Sequence, residues 1–167
     1  MNESAKQQLV AILNKIPMFS KIGFAEAEHV LSICHPREYG AGETLCKEGT
    51  PPLEMYILLT GELSVVKEQV EIATLKPVVP VGEMGVVTGE MRTASILTKV
   101  PSRLLVIRRV EFDALIRRNI DLGFLIFKNL AKTLSHRLAS TSVELEHLRQ
   151  ENVQLKQQLV ERGGERG

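Results

Sequence analysis

Residues 81–95 read Val-Gly-Glu-Met-Gly-Val-Val-Thr-Gly-Glu-Met-Arg-Thr-Ala-Ser. This segment places the acid Glu83 and the arginine Arg92 nine positions apart around glycine-rich turns. An arginine fork binds and neutralises an anionic phosphate, and backbone N–H groups next to a glycine can approach that phosphate closely. A carboxylate accepts hydrogen bonds from sugar hydroxyls. The segment therefore predicts a cradle for a small cyclic phosphate, which needs neither a nucleophile nor a metal.

The same segment resembles the phosphate-binding cassette of the cyclic nucleotide-binding domain family. That cassette has an apolar or aromatic residue, then Gly-Glu-Leu-Ala-Leu, and it closes on Arg-Ala-Ala or Arg-Ser/Thr-Ala. Gly82 and Glu83 match the Gly-Glu pair, and residues 92–94, Arg-Thr-Ala, match the closing triplet. The chain departs from the pattern at Val81, where the family has Phe, and at Met91, where it has Pro.

The resemblance implies a role for each matched residue. Glu83 would accept a hydrogen bond from the ribose 2′-hydroxyl, and Arg92 would pair with the cyclic phosphate. Backbone amides near Glu83 and Met84 would bind the phosphate at a helix N-terminus, and Thr93 would lie beside the base. The ligand-binding residues implied within the cassette are Gly82, Glu83, Met84, Gly85, Arg92, Thr93 and Ala94.

A simpler interpretation of the cassette is a glycine-rich hairpin in which Glu83 and Arg92 form a surface ion pair. Such a pair contributes at most about 1 kcal/mol to stability. The pattern of turns and strands on both sides favours the cassette, because a glycine motif gains weight only from its structural context.

Short apolar stretches alternate with turns along most of the chain, which is typical of an antiparallel sheet protein. We expect helices at residues 24–33 and 110–118, and strands at residues 54–60, 62–66, 70–75, 95–100 and 104–107. Glycines 42, 49, 61 and 82 fall near the corners of the family's β-roll, where φ is positive. The predicted fold class is α+β: an antiparallel β-roll (double-stranded β-helix or jelly roll) flanked by helices, with a long C-terminal dimerisation helix.

The chain divides into three parts on this interpretation. Residues 1–120 form the β-roll domain with N-terminal helices and a short helix at 110–119, and residues 163–167 form a flexible tail. Between them, residues 121–162 contain no proline, and their only glycine is Gly123, so one long helix or two collinear ones can form. Asp121 is the expected N-cap of that helix.

Apolar residues recur along the C-terminal helix with heptad spacing, which predicts a parallel coiled-coil homodimer. The seam residues singled out for dimerisation are Leu138, Leu145, Leu148, Asn152, Leu155 and Leu159. A single Asn at an a position fixes a parallel two-stranded register. The same frame pairs Glu144 with Arg149 of the other copy, and Glu151 with Lys156. An amphipathic helix packed on its own domain is the alternative.

The resemblance leaves open which residue of the C-terminal helix covers the base. One alignment puts Arg137 and Leu138 there, and an alignment shifted by four residues puts Thr141 and Ser142 there instead. We favour Arg137 and keep Thr141 as a candidate; a solvated arginine on the helix face is the alternative.

Composition excludes several classes of protein. The chain has 167 residues, with 21 basic and 20 acidic side chains and a formal net charge of +1, so it carries no global nucleic-acid signature. It has no signal peptide and no apolar stretch that could span a membrane, so the cytoplasm is expected. After the long helix there is no helix-turn-helix, and DNA binding is not expected.

Two further sites are also not expected. Cys34 and Cys46 are too few for a disulfide framework, and together with His29 and His35 they match no standard zinc spacing. No catalytic triad, P-loop or paired inward carboxylates are recognisable, so no catalytic residue, metal or cofactor is predicted. Arg108-Arg109 and Arg117-Arg118 are pairs of adjacent basic residues, and such pairs usually lie at the protein surface in contact with water.

These observations predict a cyclic nucleotide sensor. It would bind cAMP or cGMP, form a homodimer through its C-terminal helix and signal to a partner protein by rearranging that helix. The sequence leaves open which nucleotide is preferred, because Thr93 is compatible with both. The alternative is a ligand-free, degenerate domain of the same fold that acts as a dimeric protein-interaction scaffold.

Overall fold

The computed structural model of the chain describes residues 3–164, with the side chains of residues 7, 8 and 10–156. The predicted seam residue Leu159 has its side chain outside this range, and the last three residues of the predicted tail lie outside it altogether. The chain separates into two compact units, Met1–Phe127 and Lys128–Gly167. Each is described by itself.

The first unit contains eight strands and the shorter helices. The helices are α1 (Glu3–Lys15), α2 (Phe24–Ser32), α3 (Glu83–Thr88), α4 (Arg109–Arg118) and α5 (Ile120–Gly164), with a 3₁₀ turn at Pro17–Phe19. The strands are β1 (Cys34–Tyr39), β2 (Thr44–Cys46), β3 (Glu54–Thr60), β4 (Leu63–Lys67), β5 (Val70–Leu75), β6 (Val79–Val81), β7 (Ser95–Thr98) and β8 (Ser102–Arg108). Helix α5 begins in the first unit and makes up the described part of the second.

Two four-stranded sheets, antiparallel throughout, form the predicted β-roll. One has the strand order β1-β8-β3-β6 and the other β2-β7-β4-β5. Strand β8 lies between β1 and β3, and residues 104–107 within it are all buried, as expected for a strand covered on both faces. The predicted fold, an antiparallel β-roll flanked by helices with a long C-terminal helix, is confirmed, and dimerisation through that helix stays a prediction.

Side chains from both sheets meet in one apolar cluster at the centre of the roll. Its buried members are Tyr56, Leu58, Leu63, Val81, Ile96, Leu104 and Val106. Cys46 and Leu45 on β2 pack against the edge of this cluster. Because the cluster fixes β6 against β3, it also fixes the chain that leaves β6 at Val81 and enters α3.

Helix α5 begins at Ile120, one residue before the predicted N-cap. Asp121 is therefore in the first turn and is not the cap, so that prediction was wrong. The carbonyl of Asn119 accepts a 2.9 Å hydrogen bond from the Gly123 N–H, and Asn119 thus precedes the helix directly. An acid in the first turn still interacts favourably with the helix dipole.

Candidate functional site

The cassette begins where β6 ends. Residue Val81 pairs with Tyr56 across the β3–β6 ladder, and Gly82 follows in a left-handed conformation with φ of 76°. Helix α3 starts at the next residue, Glu83, and ends at a second left-handed glycine, Gly89, with φ of 81°. The sequence thus forms a six-residue helix bounded by two glycines, and the first N–H groups of a helix have no acceptor within that helix.

The guanidinium of Arg92 is held by backbone carbonyls from two directions. Nη1 donates to the carbonyl oxygen of Gly82 at 2.9 Å, and Nη2 donates to the carbonyl oxygen of Glu54 at the start of β3. Nε is buried and has no hydrogen-bond partner in the described part of the chain. A buried cationic donor without an acceptor costs free energy until an acceptor is supplied.

The backbone of Arg92 is fixed as firmly as its side chain. Its N–H donates to the Thr50 carbonyl at 2.9 Å, and its carbonyl accepts from the Gly49 N–H at 2.8 Å. The turn after β2 and the loop before β7 are therefore tied together at this residue, which aims the arginine side chain back toward the start of α3.

Two glycines of the cassette are required by the position of this arginine. A Cβ on Gly82 would overlap Nη1 of Arg92, and its positive φ is unfavourable for other residues. A Cβ on Gly85 would come within 2.8 Å of the Pro52 Cβ and 3.4 Å of Nη1 of Arg92. The spacing of the two glycines therefore lets the guanidinium lie against the first turn of α3.

The two charged residues of the cassette to which a ligand contact is assigned are both buried. Glu83 and Arg92 are each only 7% exposed. The interpretation of these residues as a surface ion pair on a hairpin is therefore wrong. Burial in low dielectric strengthens the interaction of a charged group with an incoming ligand, which favours a binding site.

The Cys46 thiol, which interacts electrostatically with Arg92, and the neighbouring Tyr56 hydroxyl are neutral at physiological pH. Burial raises the pKa of the Cys46 thiol, and this effect outweighs the opposing influences of the Arg92 charge and of a hydrogen bond from the Ile96 backbone. Burial also raises the pKa of the Tyr56 hydroxyl, with the Glu54 carboxylate adding to the rise. The Tyr56 hydroxyl donates to the Leu45 carbonyl at 2.8 Å. The positive charge of Arg92 is thus not cancelled by either group.

The structure brings together the predicted cassette residues of α3 and Arg92. Thr93, which follows Arg92, is exposed, and Ala94 is half-buried. The two candidates for covering the base, Arg137 and Thr141, are exposed positions on the part of α5 that belongs to the second unit. Their role stays a prediction.

Sequence reasoning missed two contributors to the site. The Glu54 carbonyl is a backbone group, so no residue type could have indicated that it binds Arg92. Arg109 was considered only as half of a solvated basic pair, yet its Nη2 lies 2.9 Å from the position of a Cβ on Gly89. The sequence contains no signal for this contact, because it joins residues 20 positions apart in the chain.

Within the described residues, no three His, Cys, Asp or Glu side chains are grouped closely enough to hold a metal ion. Cys34 and Cys46 are free thiols. Burial raises the pKa of Cys34 to about 12, with a further contribution from Glu111, so this thiol is protonated at neutral pH. No helix in the described residues is long and apolar enough to cross a membrane.

The comparison with protein families agrees with the geometry of the cassette. The family description "cyclic nucleotide-binding domain" matches residues 36–119, which include all eight strands except the first two residues of β1, and helices α3 and α4. This chain belongs to the cyclic nucleotide-binding domain family.

Two named proteins are similar in sequence to this cyclic nucleotide-binding domain. A cyclic nucleotide-gated potassium channel of Mesorhizobium japonicum is 30% identical over 108 residues, which are 65% of this chain and 29% of the channel. The cyclic AMP receptor protein of Thermus thermophilus is 28% identical over 137 residues, 79% of this chain and 62% of the receptor. The chain thus spans less than two thirds of the length of either relative.

A solved structure confirms the likeness of the fold. The crystal structure of a cyclic nucleotide-binding domain from Methylobacillus flagellatus aligns with a TM-score of 0.71 at 25% identity. The alignment covers 82% of this chain and 80% of that one.

Proposed function

We propose that the chain is a sensor that binds a 3′,5′-cyclic nucleotide, cAMP or cGMP, in the cassette of residues 82–94. The observation that carries this proposal is the buried guanidinium of Arg92, whose Nε–H has no partner in the described residues. A cyclic phosphate supplies the missing acceptor and compensates the buried positive charge. The names of the two relatives, a cyclic nucleotide-gated channel and a cyclic AMP receptor, support the same ligand class.

Each part of the nucleotide has a proposed partner. Arg92 and the N–H groups at the first turn of α3 bind the phosphate, and the Glu83 carboxylate accepts the ribose 2′-hydroxyl. Thr93 lies beside the base, where its hydroxyl can contact the amino group of guanine. Cyclic GMP therefore gains a contact that cyclic AMP lacks, while both nucleotides share the phosphate and ribose contacts.

The C-terminal helix supplies the proposed cover for the base. Arg137 is the favoured residue, since its long side chain can stack on a base and keep its charged end in water. Thr141 and Ser142 are the alternative in the shifted alignment. With either residue over the base, a ligand shifts α5 between two positions only if the protein binds the ligand more tightly with the helix in one of them.

The same helix is proposed to form a parallel homodimer. The described seam leucines Leu138, Leu145, Leu148 and Leu155 are all exposed along α5. Phe124 and Phe127, in the part of α5 that belongs to the first unit, are also exposed and line an apolar groove of about 450 Å³. Exposed apolar residues that recur with heptad spacing along a helix are characteristic of a helix with a partner helix.

Signalling to a partner protein is the proposed output, with the cytoplasm as its compartment. Nucleotide binding would change the arrangement of α5, and the partner would bind one arrangement in preference to the other. The protein acts by binding, so no catalytic step is assigned to it. The competing function is that of a scaffold, which would form the same dimer but bind no ligand. Nucleotide affinity is the measurable property that distinguishes the sensor from the scaffold.

Calorimetric titration tests the two functions directly. The protein is unfolded and refolded to remove bound nucleotide and is then titrated with cyclic AMP and cyclic GMP in parallel. Saturable binding of either nucleotide is the expected result, and the ratio of the two affinities gives the base preference. The absence of both heat and thermal stabilisation at high nucleotide concentration would favour the scaffold.

A further inference from the structure

Arg109 lies at a junction between the cassette and the helix that follows the roll. It is the first residue of α4, and its side chain reaches the other end of α3. Nη2 and Nη1 lie 2.9 Å and 3.4 Å from the position that a Cβ on Gly89 would take. The guanidinium therefore lies directly over the glycine that ends the cassette helix, and any larger residue there would displace it.

The backbone of Arg109 is connected to the binding site as well. Its N–H donates to the Leu53 carbonyl at 2.8 Å, and the next carbonyl, that of Glu54, accepts from Arg92. The carbonyls of the dipeptide Leu53-Glu54 thus accept hydrogen bonds from both Arg109, at the start of α4, and Arg92, in the binding site. If the Arg92 guanidinium moves toward a ligand, its hydrogen bond to the Glu54 carbonyl changes. The neighbouring carbonyl, that of Leu53, accepts the hydrogen bond that anchors the start of α4.

The orientation of the Arg109 side chain is set by α4 itself. Nε lies 3.8 Å from Oδ2 of Asp113, four residues further along the helix. The two side chains are 37% and 41% exposed, so the pair contributes little to stability. Its effect is to point the guanidinium at Gly89, which makes Arg109 a positioning residue more than a stabilising one.

We propose that Arg109 transmits the position of the cassette helix to α4, and through α4 to the start of α5. The proposal rests on the proposed function, because the signal it transmits is nucleotide binding at the other end of α3. When the ligand draws α3 and Arg92 together, Gly89 moves relative to Arg109. Because α4 starts at Arg109, a change in the contact between Arg109 and Gly89 also moves the first turn of α4.

Hydrogen exchange of the full chain, with and without saturating nucleotide, tests the proposal. The peptide of interest covers α4, residues 109–118. Three variants are compared with the parent: Arg109→Gln removes the charge over Gly89, Arg109→Lys keeps a positive charge there, and Arg108→Gln is the matched control. Arg108, the last residue of β8, is exposed, and its Nη1 lies 3.9 Å from Oε1 of Glu111 in the first turn of α4.

The parent and Arg108→Gln are expected to show a ligand-dependent change of about tenfold in exchange within α4, a size typical of coupled sites. In Arg109→Gln that change falls below about twofold, whereas nucleotide still binds within about tenfold of the parent affinity. Arg109→Lys restores part of the response, because a cation again lies over Gly89.

Two results would overturn the coupling role alone. One is a full α4 response in Arg109→Gln. The other is faster exchange throughout the β-roll of that variant without ligand, which would make Arg109 a structural residue. Failure of the parent to bind either nucleotide is a separate result, because it refutes the proposed function and removes the signal that Arg109 would transmit.

Discussion

Replacing Arg92 with alanine removes the buried guanidinium that we propose binds the cyclic phosphate. Truncating one partner of a buried, hydrogen-bonded charge pair costs about 2–5 kcal/mol of binding free energy. Each 1.4 kcal/mol is tenfold in affinity, so the nucleotide should bind about 30-fold to several thousandfold more weakly. Because Arg92 is only 7% exposed, water does not screen this interaction, and the upper half of that range is the better expectation.

The same variant should still fold. It loses the two hydrogen bonds from Arg92 to the carbonyls of Gly82 and Glu54, each a charged bond of about 1.5–3 kcal/mol. The variant also lacks the buried Nε–H that has no partner, which stabilises it by about 1–3 kcal/mol relative to the parent. The free energy of unfolding should therefore fall by about 2 kcal/mol, less than the 5–15 kcal/mol typical of a domain.

Thermal unfolding and calorimetric titration together measure both effects. At a nucleotide concentration one hundred times the parent Kd, the parent gains about 2.7 kcal/mol of stability, whereas a variant with 30-fold weaker affinity gains about 0.9 kcal/mol. Arg103→Ala is the matched control, because Arg103 is an exposed arginine in an ion pair with Glu38. Affinity of Arg92→Ala within threefold of the parent would refute the assignment of Arg92 to the phosphate.

Three further predictions concern other parts of the chain. Gly82→Ala should lower the free energy of unfolding by about 1–2 kcal/mol, because φ is positive there, and should weaken nucleotide binding by displacing Arg92; urea unfolding and titration measure both, and parent-like affinity would contradict the cradle. Asn152→Leu should broaden the oligomeric state from dimer to a mixture while leaving nucleotide affinity unchanged, and light scattering that finds a monomeric parent would refute the zipper. Hydrogen bonds from Lys99 lower the pKa of Glu71 to about 2, so this pair stabilises the fold above pH 4.5 and loses its effect as the pH falls toward 2; Lys99→Ala should return the pKa toward 4.5 in an NMR titration, and an unchanged pKa would contradict the contact.

The local elements of the fold could be predicted closely from the sequence. Strands β3 and β5 have the predicted bounds, residues 54–60 and 70–75, because each is an apolar stretch closed by a turn. Glycines 42, 49, 61 and 82 all have the expected positive φ. In each case the information lies within a few neighbouring residues, and the remainder of the structure does not alter it.

Contacts between distant segments could not be predicted in the same way. The Glu54 carbonyl binds Arg92 across 38 residues, and a carbonyl is present in every residue, so the sequence contains no sign of it. The start of α5 was misplaced because Asn119 serves as the end of α4 and immediately precedes the next helix. Asp121 had the right chemistry for a cap, but it is the second residue of α5 and lies two positions after Asn119.

Helix α3 shows why two arginines should have separable effects. With six residues it has little stability of its own, so its position depends on contacts at its two ends. Each end is a left-handed glycine with an arginine guanidinium against it, Arg92 at Gly82 and Arg109 at Gly89. Arg92 reaches the proposed phosphate site, whereas Arg109 belongs to α4, so a substitution at the first end should change affinity and one at the second should change the response of α4 to the bound nucleotide.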